Sequence, residues 1–214
     1  MIDFASRDHF IKICGVTTVQ DARAIAALGA SSVGLILSDS RRRVSVETAT
    51  SITDAIRGTV LSTGVVRNEA SSYVLDVVRA TRVDAIQVHG PLSEDLLREL
   101  RKRPVSIIKA LSVTDAEFFD FDESSVDAVL IDGPSPGSGE HHSWQAMEQR
   151  RFCVPVIAAG GLTADNVAEV ILSLQPWGVD VATGVEASPG VKDLTRVSNF
   201  IARARHAFSE RGLQ

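Results

Sequence analysis

The sequence predicts a single parallel α/β barrel, and three observations carry that prediction. Eight short runs rich in Val and Ile recur at intervals of about 20 to 30 residues. Segments with a helical repeat lie between several of them, and strands alternating with helices make a parallel sheet with right-handed crossovers. Finally, the turn after the first run, CGVTT (14–18), lacks the glycine-rich phosphate fingerprint that opens the rival architecture, a doubly wound open sheet. Eight is the number of strand–helix units that closes a barrel, and 214 residues lies near the small end of the barrel range.

The runs are FIKIC (10–14), SVGLIL (32–37), TVLSTGVV (59–66), DAIQVH (84–89), VSIIKAL (105–111), DAVLID (127–132), VPVIAAG (154–160) and GVDVAT (178–183). Each is nearly continuous in apolar residues, as expected of parallel strands covered on both faces. The first helix is expected from Thr18, which can cap it, to Gly29, with Ala22, Ile25, Ala26 and Leu28 on its apolar side. Ser93 caps a second, with Leu96, Leu97 and Leu100 inward and Pro104 past its end. A third is expected from Thr163. The last places Leu194, Val197, Phe200, Ile201, Ala204 and Phe208 along one side. The domain reading is an extension of no evident role at 1–9 and a barrel over 10–214.

Charge and composition exclude several functions. Twenty-two basic against 27 acidic side chains give a net charge of −5, which argues against a nucleic-acid or anionic-membrane binder. Two cysteines cannot frame a disulfide scaffold and suit a reducing cytosol. The start mixes Asp3, Arg7 and Asp8 with apolar residues, unlike an export signal. The apolar stretch from Ala24 to Leu37 is broken by Gly29, Ser31, Ser32 and Gly34, and it falls short of the roughly 18 residues a membrane span needs.

In a barrel of this kind the chemistry sits where strands run out into the loops that follow. The polar and small residues there are Lys12 and Cys14, Gln87 and His89, Lys109, Asp132, Gly160 and Gly161, and Asp180, Thr183 and Gly184. AAGGLT and ATGV end the seventh and eighth runs in small residues that let backbone N–H groups approach an anion, a recurring barrel phosphate site. SPG (188–190) is read as a further short helical N-terminus. Cys14 ends the first strand and Asp132 the sixth, so the two can face each other across the mouth and move a proton between two substrate atoms. The plainer readings stand beside these. A lone buried Cys is ordinarily a small hydrophobe, and Asp132-Gly133-Pro134 also reads as a turn. Cys153 reads as core, Lys12 and Lys109 as partners of nearby carboxylates, and Trp144 and Trp177 as packing residues. No metal cluster is evident; His141 and His142 are adjacent, which does not place two ligands on one helix face.

Ten ordered markers resemble the phosphoribosylanthranilate isomerase family, from about residue 11 to 203. They are KICGVT (12–17), DARAIAALGASSVGLIL (21–37), RRVS (42–45), GVVRNE (64–69), IQVHG (86–90), IIKAL (107–111), LID (130–132), GSGEHHSW (137–144), AAGGLTADNV (158–167) and VDVATGVEASPGVKD (179–193). The resemblance implies a phosphate-binding (β/α)8 barrel without metal or cofactor. It implies an Amadori rearrangement of N-(5-phosphoribosyl)anthranilate to 1-(2-carboxyphenylamino)-1-deoxyribulose 5-phosphate. Cys14 is then the general base, Asp132 the general acid and Arg42 the holder of the anthranilate carboxylate. Gly160, Gly161, Thr183 and Gly184 line the phosphate site, and Gln87 and Asp180 complete the substrate contacts. An apolar setting raises the Asp132 pKa so that it stays protonated, and Lys12 or local backbone N–H groups favour a partly ionised Cys14.

The chain departs from the family pattern around the aromatic end of the substrate. Arg41 and Arg43 flank Arg42 where Pro and Tyr are usual, Arg67 stands where an apolar residue is usual, and His142 where an aromatic is common. Thr183 keeps the hydroxyl of a frequent Ser. The expected partner is a small phosphosugar, in a cytoplasmic monomer or homodimer. Alternatives are a paralogue acting on a modified anthranilate or another aminosugar phosphate, and a barrel that binds a phosphometabolite without catalysis. A histidine-pathway aminoaldose isomerase would prefer acidic residues at the ends of strands 1 and 5, where Cys14 and Leu111 stand.

Overall fold

The computed structural model describes residues 2, 9–114, 117–133 and 150–211. Eight parallel strands close into a barrel in sequence order: β1 (Phe10–Cys14), β2 (Ser32–Ile36), β3 (Leu61–Arg67), β4 (Ala85–His89), β5 (Ser106–Ser112), β6 (Ala128–Asp132), β7 (Val156–Ala159) and β8 (Gly178–Val181). β1 pairs with β8, setting Lys12 opposite Asp180, and this seam excludes the open sheet. The helices are α1 (Val19–Ala27), α2 (Val46–Ile56), α3 (Ser71–Thr81), α4 (Glu94–Leu100), α5 (Glu117–Asp120), α6 (Val167–Leu174) and α7 (Leu194–Arg211). Among the described residues no helix is long and apolar enough to cross a membrane.

Side chains alternate across a strand, so each strand feeds two layers. Phe10, Ala85, Ile108, Ala110, Ala128, Leu130, Ile157 and Ala159 pack inside the ring, where Trp177 stacks on Phe10. Their neighbours, such as Ile11, Ile13, Val33, Leu35, Ile107 and Ile131, pack outward against the helices. The buried face of α7 comprises Val197, Phe200, Ile201, Ala204, Ala207 and Phe208. Burying one such large apolar side chain contributes about 1.5–3 kcal/mol. Leu194, expected on that face, is exposed at the first turn of α7, ahead of the point where the helix meets the barrel. Ile2 lies in the inner cluster with its N–H donating to Ser106 Oγ at 2.9 Å, so this residue of the N-terminal segment packs with the barrel interior.

Local capping follows the sequence at two helices. Thr18 Oγ1 accepts the Asp21 N–H at 3.0 Å and Ser93 Oγ accepts the Leu96 N–H at 3.2 Å. Three expectations are corrected. Thr163 does not cap α6: its hydroxyl closes a turn on the Asp165 N–H, and the helix begins after Asn166. SPG is the turn of a small antiparallel hairpin, β9 (Glu186–Ser188) with β10 (Val191–Lys192), rather than a helix start, because Gly190 takes φ +83° and sends the chain back. Cys153 is exposed and not core, because β7 begins only at Val156, past Pro155. Trp144, His141, His142 and the GSGEHHSW marker lie outside the described residues.

Candidate active site

A cleft of about 520 Å³ opens at the C-terminal ends of the strands. Cys14, Arg42, Gln87, Asp132, Gly160, Gly161, Asp180, Thr183 and Gly184 all line it, so the expected acid, base and substrate-binding residues meet in one place. Strand parity explains the convergence. Lys12 and Cys14, Gln87 and His89, Asp132, and Asp180 occupy inward positions of their strands, level with the inner apolar cluster or just above it. Lys109 has the opposite parity. It points outward to the Gly90 carbonyl (2.7 Å) and Glu117 (2.8 Å) and does not line the cleft.

Cys14 and Asp132 end strands three apart around the ring, so they enter the cleft from separated arcs of its wall. Cys14 fits because position 34 on the neighbouring strand is glycine, where a Cβ would sit 2.7 Å from Sγ. Burial pushes the Cys14 thiol up, Asp180 adds to this, and Lys12 and Lys192 oppose it without winning. The expectation that Lys12 leaves the resting thiol partly ionised is thereby corrected in direction: desolvation outweighs one already neutralised ammonium. Burial also pushes the Asp132 carboxyl up, with Asp180 adding and Arg67 and Lys12 opposing.

Below them, the fully buried Lys12 donates from Nζ to Asp180 Oδ2 at 2.9 Å. Burial alone would lower the Lys12 pKa, but Asp180 and Cys14 hold it above the usual lysine value. Among the described residues, Asp180 Oδ1 and Gln87 Oε1 are buried acceptors with no donor in reach. Gln87 Nε2 lies 2.8 Å from His89 Nε2. An amide nitrogen can only donate, so His89 Nε2 accepts and its ring proton is assigned to Nδ1. Burial, with Arg67, Lys12 and Lys109 nearby, pushes the His89 pKa down to about 3, so the ring stays neutral.

Sequence reasoning missed the residue that holds Arg42. Its Nε and Nη2 donate to Glu186 Oε1 and Oε2, both at 2.7 Å, and Nη2 also reaches Thr183 Oγ1 at 3.2 Å. Glu186 accepts from Lys192 Nζ at 3.1 Å and from the Gly190 N–H at 3.2 Å as well. Burial would raise Glu186, but Arg42 and Lys192 keep it below the ordinary glutamate value. The only sequence signal was the Glu of GVE after the eighth strand, 144 positions from Arg42. At the β7–β8 end the wall is backbone. Gly160 and Gly161 take φ +86° and +64°, and a Cβ on Gly160 would meet the Gly133 backbone at 2.5 Å and Asp132 Oδ1 at 2.8 Å. Among the described residues no group of three or more His, Cys, Asp or Glu converges to hold a metal.

Fold and cleft together define the class: a (β/α)8 barrel enzyme with its site at the C-terminal face of the strands. The family model described as N-(5'phosphoribosyl)anthranilate (PRA) isomerase matches residues 11–203, and the chain belongs to that family. A relative of that name from Haloferax volcanii is 38% identical over 206 residues, covering 92% of this chain and 93% of its own. The crystal structure of phosphoribosyl anthranilate isomerase from Thermotoga maritima superposes with a TM-score of 0.81 at 31% identity, covering 93% of this chain and 100% of its own. A further isomerase structure, in complex with reduced 1-(o-carboxyphenylamino)-1-deoxyribulose 5-phosphate, has a TM-score of 0.78 at 30% identity and covers 93% and 100%.

Proposed function

We infer that the chain converts N-(5-phosphoribosyl)anthranilate to 1-(2-carboxyphenylamino)-1-deoxyribulose 5-phosphate by acid–base catalysis. One observation carries this reading: a thiol and a carboxyl enter a single cleft from separate arcs of the barrel, and burial biases the carboxyl towards its protonated form. The relative solved with a reduced product analogue supports the substrate class.

Asp132 donates its proton to the furanose ring oxygen as the C1–O bond breaks and the aniline nitrogen's lone pair forms the iminium. That cation acidifies the C2–H. The Cys14 thiolate removes the C2 proton, and the bonding pair moves to C1–C2 and quenches the iminium. The resulting enaminol ketonises at C2, so the product is an isomer with no atom gained or lost. The positive iminium also favours the thiolate at the moment when the base is needed, offsetting part of the burial that protonates Cys14 at rest.

The remaining side chains bind and orient. Gly160, Gly161, Thr183 and Gly184 form the phosphate end, where glycine lets backbone N–H groups approach the anion. Gln87 Oε1 and Asp180 Oδ1, the two buried acceptors without donors, take sugar hydroxyls. Arg42 is fixed by Glu186 through Nε and Nη2, which leaves Nη1 for the aryl carboxylate. The partner is thus a small phosphosugar and the setting cytoplasmic, as a monomer or homodimer. Incubation with N-(5-phosphoribosyl)anthranilate generated in situ tests the reading: its fluorescence should decay as the ketose forms. Persistent fluorescence with thermal stabilisation by the ligand would instead indicate a binding protein.

A further inference from the structure

We propose that Arg67 is a second cation for the aryl end of the substrate, contacting its ring carboxylate from the β3 side of the cleft. The inference rests on the isomerase reading and deepens it by naming a specificity residue. Arg67 is the last residue of β3, where Thr63, Val65 and Arg67 share one strand face. Thr63 bonds Ser32 across the neighbouring strand, and Val65 and Arg67 both line the cleft. Arg67 stands in register with His89 on β4, so the guanidinium and the neutral imidazole sit side by side on the rim.

The two arginines that line the cleft differ in what they are doing. Arg42 commits Nε and Nη2 to Glu186, which largely neutralises its charge and leaves only Nη1 for the carboxylate. The Arg67 guanidinium is exposed and pairs with no carboxylate among the described residues; only its backbone N–H is bonded, to Ser38 Oγ at 2.7 Å. In an eight-membered ring β3 lies directly opposite β7, and β7 with β8 supplies the phosphate end. A ligand anchored by phosphate at β7–β8, with C1 and C2 between Cys14 and Asp132, therefore extends its aryl group towards β2–β4. An unengaged guanidinium at that rim gives a carboxylate planar, charge-assisted hydrogen bonds. It also replaces the apolar residue that the family pattern would put there.

The test compares native protein, Arg67→Leu and Arg67→Lys on two substrates generated in situ from ribose 5-phosphate: the anthranilate adduct and the aniline adduct, which lacks the carboxylate. Loss of one charge-assisted contact should raise KM for the anthranilate adduct in Arg67→Leu by roughly 10- to 100-fold. KM for the aniline adduct should stay within about twofold, and Arg67→Lys should recover part of the loss by restoring the charge. Arg67→Leu with unchanged KM for the anthranilate adduct, or with equal rises for both substrates, overturns the proposal. Failure of the native protein to turn over the anthranilate adduct overturns the isomerase reading itself, and the two results are read from separate proteins.

Discussion

Lys12 Nζ and Asp180 Oδ2 meet at 2.9 Å beneath the catalytic mouth, joining the first strand to the eighth across the seam that closes the barrel. The pair anchors the floor of the site and leaves Asp180 Oδ1 free for ligand. Breaking a buried pair from one side strands the other charge, which costs about 3–5 kcal/mol. Lys12→Met should therefore lower the urea midpoint markedly, and the double variant Lys12→Met/Asp180→Leu should regain much of the loss. A single variant with native stability would show that the pair does not hold the seam.

Asp132 should behave as a residue kept for chemistry at a cost in stability. Its folded pKa is raised above the ordinary aspartate value of 3.8, so the folded state holds the proton more tightly than the unfolded chain. The native state is then best favoured below that value and loses stability as pH rises through the folded pKa. At pH 7 Asp132→Asn should raise Tm by about 1–4 °C while lowering kcat by roughly 10²- to 10⁴-fold. Thermal scans and steady-state rates on one preparation check both directions.

The pH profile follows from the same two groups. The proposed mechanism needs Asp132 protonated and Cys14 ionised, although both are shifted upwards. This productive form is the minor one between the two pKa values, and its fraction falls off outside them, so kcat/KM should be bell-shaped. The acid limb should lie above the ordinary aspartate range and the alkaline limb above the ordinary thiol value of 9.0. His89, with a pKa of about 3, adds no limb between pH 5 and 9.

At the proposed phosphate end backbone space is the controlling variable. A Cβ on Gly184 would fall 2.0 Å from the Leu162 carbonyl oxygen, so the β8 loop must move away from the β7 loop to accept it. Gly184→Ala should raise KM by about tenfold or more and weaken competitive inhibition by inorganic phosphate in parallel. Unchanged phosphate inhibition would place the anion elsewhere.

Much of this was legible in the sequence because parallel strands are short apolar runs and barrel chemistry gathers at their ends. The run 10–14 matches β1, and the others differ by one to three residues at their edges, where the ladder ends before or after the apolar run does. Cys14 and Asp132 were readable as strand-terminal polar residues. What escaped depends on register or on distant partners. Lys109, grouped with Lys12 among the strand-end polar residues, lies mid-strand as Lys12 does, and one step of parity sends it away from the cleft, although its reading as a partner of a nearby carboxylate holds at Glu117. The Arg42–Glu186 fork joins residues from the β2 loop and the β9–β10 hairpin, a pairing that no local pattern encodes. The upward shift of Cys14 depends on three-dimensional burial, which the nearby lysine in sequence does not reveal.

The most direct measurement is turnover of N-(5-phosphoribosyl)anthranilate by native protein, Cys14→Ala and Asp132→Ala, followed as loss of fluorescence under identical conditions. The expected result is robust native conversion with kcat reduced at least about 100-fold in each variant while all three still bind the reduced product analogue. Native-like kcat in either variant would contradict the assignment of that residue to proton transfer, and no conversion by the native protein would contradict the isomerase function itself.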